Sequence, residues 1–395
     1  MSQNENKMTY GWCIVLIIGF MLLLAAMDSL RGVFIPVFKE VFNVKNTQMG
    51  FLLTASSLGY ILGTYVSGHL CDLFGQKKLI VIGGLLVVAS IPLVTLGGSY
   101  AMLLCALLLM NVGASFIALG INTMVPLILV SFQSVLMNFV HFAYGFGSMM
   151  TQYSAGDLIY RGISWQSIYV FIGIYAFVLC MLSLIIKMPR AERAGAENEG
   201  SHAQIFKMPV LYIYSACLGF YVAAEMCTGN WMINYLKDGF TFNQKDAAFY
   251  SALFFGCLTV GRLIGGAITE RFGYIKTVSV FLGINAILFP ISMMLGANGV
   301  YLIAMTGFFC SIVFPTIVLS LSHVFKSKAS YVTGIVVTFA SATAMFANII
   351  IGFVNDLFGV EAGFGLIGAF YVMSFIMAIT LLKKVGSIIE TSRKK

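Results

Sequence analysis

Charged residues are scarce in this chain, at 10% of its 395 residues, whereas hydrophobic residues make up 59%. Soluble domains carry about 25% charged residues, so this chain has too little polar sequence to cover one or two soluble cores. The mean hydropathy of +0.94 leads to the same conclusion. The scarcity of charge excludes a soluble protein and predicts an integral membrane protein.

The sequence also lacks the motifs of enzymes and of ATP-driven pumps. It has no P-loop, no zinc-ligand spacing, no Gly-x-Ser-x-Gly elbow and no dinucleotide fingerprint after a strand. We therefore expect no enzymatic activity, no catalytic residue, no cofactor and no metal site. The eight cysteines lie in or beside apolar segments, and no loop is rich in them, so no structural disulfide is expected.

Long apolar runs are what the sequence has in abundance. A helix needs about 20 apolar residues to cross the hydrocarbon core of a bilayer, and breaks at Gly, Pro, Asn and charged clusters define twelve such runs. The predicted spans are residues 11–37, 47–71, 78–98, 100–128, 132–157, 165–187, 208–236, 247–270, 276–296, 299–323, 330–355 and 362–383. The predicted fold class is an all-α membrane protein with twelve transmembrane helices.

An internal repeat indicates that the twelve helices form two related bundles. Five residues recur 198 positions later: Gly63, Gly68, Asp72, Gly75 and Lys78 return as Gly261, Gly266, Glu270, Gly273 and Lys276. The pair Asp157-Leu158 is echoed in the same way by Asp356-Leu357. We predict two six-helix bundles with pseudo-two-fold symmetry, at residues 1–188 and 208–395, joined by a hydrophilic cytoplasmic linker at 189–207.

The distribution of basic residues predicts the orientation. With the N-terminus inside, sixteen of the 23 Lys and Arg residues fall on the cytoplasmic side and five outside, with Arg31 and Arg262 within spans. This bias predicts cytoplasmic termini. The net charge of +8 is read as loops facing anionic membrane lipids, not as a nucleic-acid surface. We expect a monomer in a bacterial inner membrane.

The segment GHLCDLFGQKK (68–78) resembles the loop signature of the major facilitator superfamily, and GAITERFGYIK (266–276) repeats it. The resemblance implies the fold of that superfamily and a gating role for this loop. The glycines of the motif permit a sharp turn and close approach of helices. Its acid can be stabilised by the positive end of a helix dipole, at a helix N-terminus. Lys77 and Lys78 are expected to face anionic headgroups. The candidate gating residues are Gly68, Asp72, Gly75, Lys77, Lys78, Gly266, Glu270 and Arg271.

Three further segments resemble the fucose–galactose–glucose:proton symporter family. They are NFVHFAYGFG (138–147) in helix 5, YVAAEMCTGNW (221–231) in helix 7 and GFFCSIVFPTI (307–317) in helix 10. The resemblance implies a sugar or polyol as the small-molecule substrate. Two acids typical of that family are displaced or absent, because Gly32, one turn from Asp28, and Asn122 stand where it has carboxylates. Coupling to protons or Na⁺ therefore depends on other residues, and uniport is the alternative.

Polar and aromatic residues within the spans are the candidates for binding. Asn138 and His141 share one helix face, and their polar atoms suit sugar hydroxyls, although they also suit interhelical hydrogen bonds. Aromatic rings can stack on a pyranose, or simply pack. Pro315 is expected to kink helix 10. The candidate substrate-binding residues are Asn122, Asn138, His141, Phe142, Asn230, Trp231, Arg262 and Phe308.

Ionisable residues within a membrane are functional candidates by default. Asp28 and Arg31 lie one turn apart in helix 1, close enough to neutralise each other, and Glu225 lies in the middle of helix 7. These three residues are the candidate coupling and charge residues. A purely structural ion pair between Asp28 and Arg31 is the alternative.

The first functional hypothesis is a sugar transporter, coupled to a cation, that works by alternating access of its two halves. The second is an organic-anion transporter, because YGWCIVL (10–16) and GVFIPVFKEVF (32–42) resemble monocarboxylate-type transporters. In that case Arg262 is expected to pair with the carboxylate of the substrate. Drug efflux and a non-transporting receptor are two weaker alternatives.

Overall fold

The computed structural model describes residues 3–128, 133–189, 202–325 and 328–393, and within these residues the regular structure is helical. The thirteen α-helices are α1 (Gln3–Phe42), α2 (Asn46–Phe74), α3 (Gln76–Leu96), α4 (Tyr100–Ile128), α5 (Gln133–Tyr160), α6 (Trp165–Ile185), α7 (Pro209–Phe240), α8 (Gln244–Phe272), α9 (Tyr274–Met294), α10 (Val300–Cys310), α11 (Val313–Phe325), α12 (Ala329–Phe358) and α13 (Val360–Arg393). Each of the twelve predicted spans coincides with one of these helices, or with the pair α10 and α11, and the predicted fold class is confirmed.

Eleven segments of the described residues are long and apolar enough to cross a membrane, and α10 and α11 together make one of them. Helix α5 is the predicted span that falls outside this set, because it carries Gln152, Asp157 and other polar residues. The predicted multi-pass membrane protein is confirmed.

The internal contacts divide the chain into two units. The first unit contains residues 1–43 and 52–197, and the second contains residues 44–51 and 198–395. The short segment 44–51 therefore belongs to the second unit, although it is continuous with α2. Most of the predicted linker lies outside the described residues, and its last part, His202–Lys207, forms a 3₁₀ helix. The exact bundle boundaries stay a prediction.

The 198-residue repeat that is seen in the sequence is also seen in the backbone conformation. Asn43 after α1 and Thr241 after α7 both have a left-handed backbone, with φ of 49° and 56°. Gly75 and Gly273 follow α2 and α8 with φ of 82° and 93°. Such positive φ values end a helix and favour glycine. The same turns therefore recur at the same spacing in both halves of the chain.

The tenth predicted span is broken into two helices. Ser311 and Ile312 form a turn between α10 and α11, and Pro315 lies in the first turn of α11. A proline has no N–H to offer the carbonyl four residues earlier, and its ring crowds that carbonyl. The kink expected at Pro315 is therefore realised as a break that begins at Ser311, the residue whose carbonyl the proline cannot serve.

Close helix packing within the first unit depends on glycine. Gly83 of α3 and Gly113 of α4 approach so closely that a Cβ on either would collide with the backbone carbonyl of the other. Small residues of this kind let helices pack closely where no hydrophobic effect drives them together. These contacts hold α3 against α4.

Candidate functional site

In the first unit, Asp28 is the centre of a small polar cluster. Arg31 donates a hydrogen bond from its guanidinium to the Asp28 carboxylate, and Tyr144 of α5 donates its hydroxyl to the other carboxylate oxygen. Arg31 is buried, with 7% of its side chain exposed, whereas 35% of the Asp28 side chain is exposed. In this ion pair Asp28 is therefore the partly exposed member and Arg31 is the buried one.

In the second unit, Glu225 of α7 has two partners. The nearest Arg262 nitrogen, on α8, lies 3.9 Å from the Glu225 carboxylate, and both side chains are partly buried. Tyr221, one turn earlier on α7, contacts the other carboxylate oxygen through its hydroxyl. The same hydroxyl lies 2.7 Å from the backbone carbonyl of Cys310. Tyr221 therefore joins Glu225 to the broken end of α10.

A buried polar network lies behind this carbonyl. The Cys310 thiol is 3.2 Å from the Tyr371 hydroxyl of α13 and accepts a hydrogen bond of 3.3 Å from the Asn285 amide of α9. The Asn285 amide also donates to the carbonyl of Thr306 in α10. The chain end at the helix break is thereby fixed by α7, α9 and α13 together.

Helices α7 and α12 meet at three polar side chains. The indole N–H of Trp231 donates to the amide oxygen of Asn348 at 3.0 Å, and the Asn230 amide donates to the same oxygen at 3.3 Å. Trp231 is fully buried, so the structure places its ring in the core of the second unit, where it has no face open to a sugar. Asn230 is half-buried beside it.

Three of the other predicted binding residues lie at accessible positions. His141 is exposed on α5, Asn122 is exposed on α4, and Phe142 stacks on Phe146 with ring centroids 6.3 Å apart. The side chain of Asn138 lies outside the described residues. His141 and Phe142 are neighbours on one helix, so the structure keeps these two predicted residues together in the first unit.

Phe308 of α10 is half-buried and packs its ring against Phe281 of α9 and against Phe309. This placement fits a packing residue of the second unit, which is the alternative that the sequence left open.

The loop motif between α2 and α3 is a helix junction. Gly75 has a φ of 82°, a backbone conformation that favours glycine. The Lys77 ammonium donates to the carbonyls of Leu184 and Ile186 at 3.1 and 3.0 Å. The expectation that Lys77 faces lipid headgroups is therefore wrong, because its charge caps the C-terminal end of α6, which is the negative end of the helix dipole. Lys78 is exposed, as expected.

The side chain of Asp72 lies outside the described residues, and Gly68 has open space around its Cα. In the second copy of the motif, Gly266 is also open, and Glu270 accepts a hydrogen bond of 2.9 Å from the Tyr274 hydroxyl. Arg271 is exposed and lies over the ring of Phe272.

Tyr144, Tyr221 and Asn348 were missed by the sequence analysis, although each contacts a predicted residue. Tyr221 stands four residues before Glu225, which places both on one helix face, and this spacing was a usable signal. Tyr144 and Asn348 are 116 and 117 residues from their partners, and no local pattern points to such contacts.

The comparison with protein families decides the superfamily. The sequence model described as "Major Facilitator Superfamily" matches residues 16–305 and 222–394. The chain belongs to the Major Facilitator Superfamily. The resemblance inferred from the loop motif is thereby confirmed.

Members of the superfamily with known names are similar over nearly the whole chain. A glucose/galactose transporter of Brucella abortus is 23% identical over 382 residues, which cover 92% of each chain. The crystal structure of a D-xylose-proton symporter has a TM-score of 0.78 at 14% identity, over 94% of this chain and 97% of that one. The E. coli fucose:proton symporter has a TM-score of 0.66 at 19% identity, over 94% and 99%. At these identities the structural likeness establishes the fold.

Proposed function

We propose that this protein is a secondary transporter that moves a sugar across the membrane together with protons. Membership of the superfamily supports transport, and full-length similarity to a glucose/galactose transporter supports a hexose as the solute. Transporters built from repeats work by alternating access, in which one repeat moves against the other. Neither an ATP-binding motif nor an appended domain is needed for this mechanism.

The surroundings of Arg262 favour a sugar over an organic anion. An anion transporter needs a cation that is available to the carboxylate of its substrate. Arg262 lies 3.9 Å from Glu225, so a carboxylate of the same unit competes for its charge with any carboxylate of a substrate. The exposed Asn122 and the half-buried Asn230 carry amide groups, which are uncharged and suit the hydroxyls of a sugar.

The two intramembrane carboxylates have different surroundings. Asp28 is bound directly by the Arg31 guanidinium and by the Tyr144 hydroxyl, so its ionised form is satisfied on both oxygens. Glu225 is contacted by the Tyr221 hydroxyl, but its cation Arg262 lies 3.9 Å away, beyond hydrogen-bond distance. Environments that stabilise different protonation states separate the roles of two carboxylates. We assign Asp28 to a lasting ion pair and Glu225 to the binding of the transported proton.

The position of Tyr221 is the main observation that supports Glu225 as the site of the transported proton. Its hydroxyl has one proton, but it faces two acceptors, the Glu225 carboxylate and the Cys310 carbonyl. Both contacts are satisfied together when Glu225 is protonated, because Glu225 then donates to Tyr221 and Tyr221 donates to Cys310. When Glu225 is ionised, one acceptor loses its donor, and a buried unpaired group is costly. Proton binding therefore changes the hydrogen bonding at the broken end of α10.

The test is uptake of radiolabelled D-glucose and D-galactose by purified protein in liposomes, with L-lactate as the comparison solute. We expect saturable hexose uptake that an inward proton gradient drives above equilibrium. The absence of saturable hexose uptake, or the uptake of lactate alone, contradicts a sugar transporter.

The role of Glu225 is tested separately with Glu225→Gln. We expect this variant to exchange hexose across the membrane by counterflow but to lose accumulation driven by the proton gradient. Asp246→Asn is the matched control, because Asp246 is an exposed acid at the start of α8. Gradient-driven accumulation by Glu225→Gln would assign the proton to another residue while leaving sugar transport intact.

We further propose a monomer in a bacterial inner membrane, with both termini in the cytoplasm as the bias of basic residues towards that side indicates. A protease added outside intact cells is expected to spare tags at both termini. Cleavage of either tag contradicts this orientation.

A further inference from the structure

The Tyr221 hydroxyl lies between two hydrogen-bond acceptors of different kinds. It contacts the Glu225 carboxylate, and it lies 2.7 Å from the backbone carbonyl of Cys310. The carboxylate can bind or release a proton, whereas the carbonyl is always an acceptor. Tyr221 and Cys310 are both fully buried, and a buried polar group that loses its partner is costly. The hydrogen bonding of the Cys310 carbonyl is therefore linked to the protonation of Glu225.

The side chain of Cys310 is held by two further helices of the second unit. The Asn285 amide of α9 donates to the Cys310 thiol at 3.3 Å and to the carbonyl of Thr306 at 3.2 Å, so it spans the last turn of α10. The Tyr371 hydroxyl of α13 lies 3.2 Å from the same thiol. We call Asn285, Tyr371 and the thiol between them the Cys310 clamp. It holds the residue by its side chain while the backbone carbonyl faces Tyr221.

The end of α10 depends on this clamp because the helix breaks there. The N–H of Ser311 donates to the carbonyl of Phe308 at 3.3 Å, three residues earlier, which is the spacing of a 3₁₀ turn. The Ser311 hydroxyl donates to the same carbonyl at 2.7 Å. Since both donors of Ser311 bond to Phe308, they leave the position of the Cys310 carbonyl to the clamp.

The Asn285 amide carries a cost that stability alone does not explain. Asn285 is fully buried, and its amide oxygen has no hydrogen-bond partner within the part of the chain that the structure describes. An unpaired buried acceptor is unfavourable, whereas an apolar residue of similar shape would avoid the penalty. What the amide contributes at this position is its pair of donor contacts with the last turn of α10.

We propose that the Cys310 clamp sets the proton affinity of Glu225, an inference that rests on Glu225 as the proposed proton site. When Glu225 ionises, its charged carboxylate is the stronger acceptor for the Tyr221 hydroxyl. The carbonyl of a fixed Cys310 then loses its donor, and this cost falls on the ionised form alone. A Cys310 that can turn away avoids the cost. Asn285 and Tyr371 are therefore positioning residues, which act through Cys310 and Tyr221.

The charged and titratable groups around Glu225 act in opposite directions. Tyr221 lies one turn earlier on α7, and Arg262 of α8 lies 3.9 Å away. The Cys310 thiol of α10 also interacts with the carboxylate, and Tyr371 of α13 lies behind this thiol. Arg262 favours the ionised form, because an opposite charge stabilises a carboxylate. Loss of the clamp and loss of Arg262 are thus expected to shift the protonation of Glu225 in opposite senses.

The test measures the protonation of Glu225 by infrared difference spectroscopy of the purified protein in detergent, across a pH series. The carboxyl band that Glu225→Gln removes belongs to this residue. We expect Asn285→Leu to move the midpoint of the band to lower pH by about one unit. This is about a tenfold loss of proton affinity, at the lower end of the cost of an unpaired buried acceptor. Tyr371→Phe is expected to move the midpoint in the same direction, and Arg262→Gln to move it to higher pH.

A pair of substitutions at Cys310 provides a second measurement if Asn285→Leu does not fold. Cys310→Ala removes the group that the clamp holds and is expected to lower the midpoint. Cys310→Ser keeps a hydrogen-bonding group and is expected to stay close to the wild-type protein. Ser374→Ala is the matched control, because the Ser374 hydroxyl of α13 donates to the carbonyl of Cys217 on α7 at 2.8 Å in the core. It removes a buried hydrogen bond between the helices of Tyr371 and Tyr221, and it is expected to leave the midpoint unchanged.

Two outcomes would overturn the clamp. In the first, Asn285→Leu and Cys310→Ala lower the melting temperature but leave the midpoint of Glu225 in place, so that the network serves packing alone. In the second, Ser374→Ala shifts the midpoint as much as the clamp variants do. The measurement requires no solute, so its result is independent of whether the protein transports hexose. A Glu225 band that does not respond to pH in the wild-type protein would refute the clamp together with Glu225 as the proton site.

Discussion

The indole N–H of Trp231 on α7 is hydrogen-bonded to the side-chain oxygen of Asn348 on α12 at 3.0 Å, and both residues are buried. The same oxygen receives the amide of Asn230, which is a candidate for contact with the solute. Asn348 therefore orients Asn230 while it also accepts the buried indole N–H of Trp231 in the core of the second unit. This arrangement makes Asn348 a positioning residue.

Replacing Asn348 by alanine is expected to lower both stability and apparent affinity. The Trp231 donor then stays buried without an acceptor, which costs about 1–3 kcal/mol. The melting temperature in detergent and the KM for hexose uptake report the two effects. The double variant Asn348→Ala/Trp231→Phe removes the stranded donor as well, so it is expected to lose less stability than the two single losses added together. Strict additivity would show that the hydrogen bond contributes nothing.

Removing the charge of Arg262 is expected to change the pH dependence of uptake. Arg262 favours the ionised form of Glu225, and its loss makes the bound proton harder to release. For Arg262→Gln we expect the alkaline limit of hexose uptake to move to higher pH, because the loss of an adjacent cation disfavours the ionised carboxylate. Binding of hexose is expected to persist. The measurement is uptake across a pH series.

The exposed Arg271 is the control for this prediction, because it lies in the last turn of the same helix, over the ring of Phe272. An unchanged pH profile in Arg262→Gln, or an equal change in Arg271→Gln, would contradict the link between Arg262 and Glu225.

The ion pair in the first unit predicts unequal effects for its members. Asp28→Asn strands the buried Arg31 cation, which is expected to cost about 3 kcal/mol or more. Tyr144→Phe removes one hydrogen bond to Asp28 and is expected to cost about 1 kcal/mol. Thermal unfolding in detergent measures both.

The double variant Asp28→Asn/Arg31→Gln removes both charges, so it is expected to be more stable than Asp28→Asn alone. A double variant that is less stable would show that Arg31 is stabilised by something besides Asp28.

Lys77 is expected to stabilise the first unit by capping α6. Lys77→Met keeps the length of the side chain but removes two hydrogen bonds to the carbonyls of Leu184 and Ile186. We expect a loss of about 1–2 kcal/mol, from the two bonds and the interaction with the helix dipole. The neighbouring Lys78→Met changes an exposed side chain and is expected to leave the melting temperature unchanged. Equal melting temperatures for the two variants would contradict a stabilising role of Lys77 at the end of α6.

The helices could be predicted from the sequence because hydropathy alone determines which segments enter the membrane. The ion pair of Asp28 with Arg31 could also be predicted, since residues three apart face each other on one helix. The helix break was placed a turn late, because Pro315 acts on the carbonyl four residues before it.

Partners that come from different helices could not be predicted. Tyr144 reaches Asp28, and Asn348 reaches Trp231, only once the order of helices within each unit is known. Trp231 was assigned to the solute because an aromatic residue in a membrane helix has the same local sequence pattern whether it packs or binds. The expected headgroup contact of Lys77 was wrong for the related reason that a helix end is a competing anionic partner.

The two-residue joint at Ser311 and Ile312 also has a mechanical consequence. It divides the tenth span into stiff rods of 11 and 13 residues, about 16 and 20 Å long at 1.5 Å per residue. A rotation of about 10° at the joint swings the far end of α11 by about 3 Å, given that length. The rod α10 ends at the carbonyl that Tyr221 contacts, so a change in the hydrogen bonding of Tyr221 takes place directly at this joint, where a small rotation has its largest effect on the far end of α11.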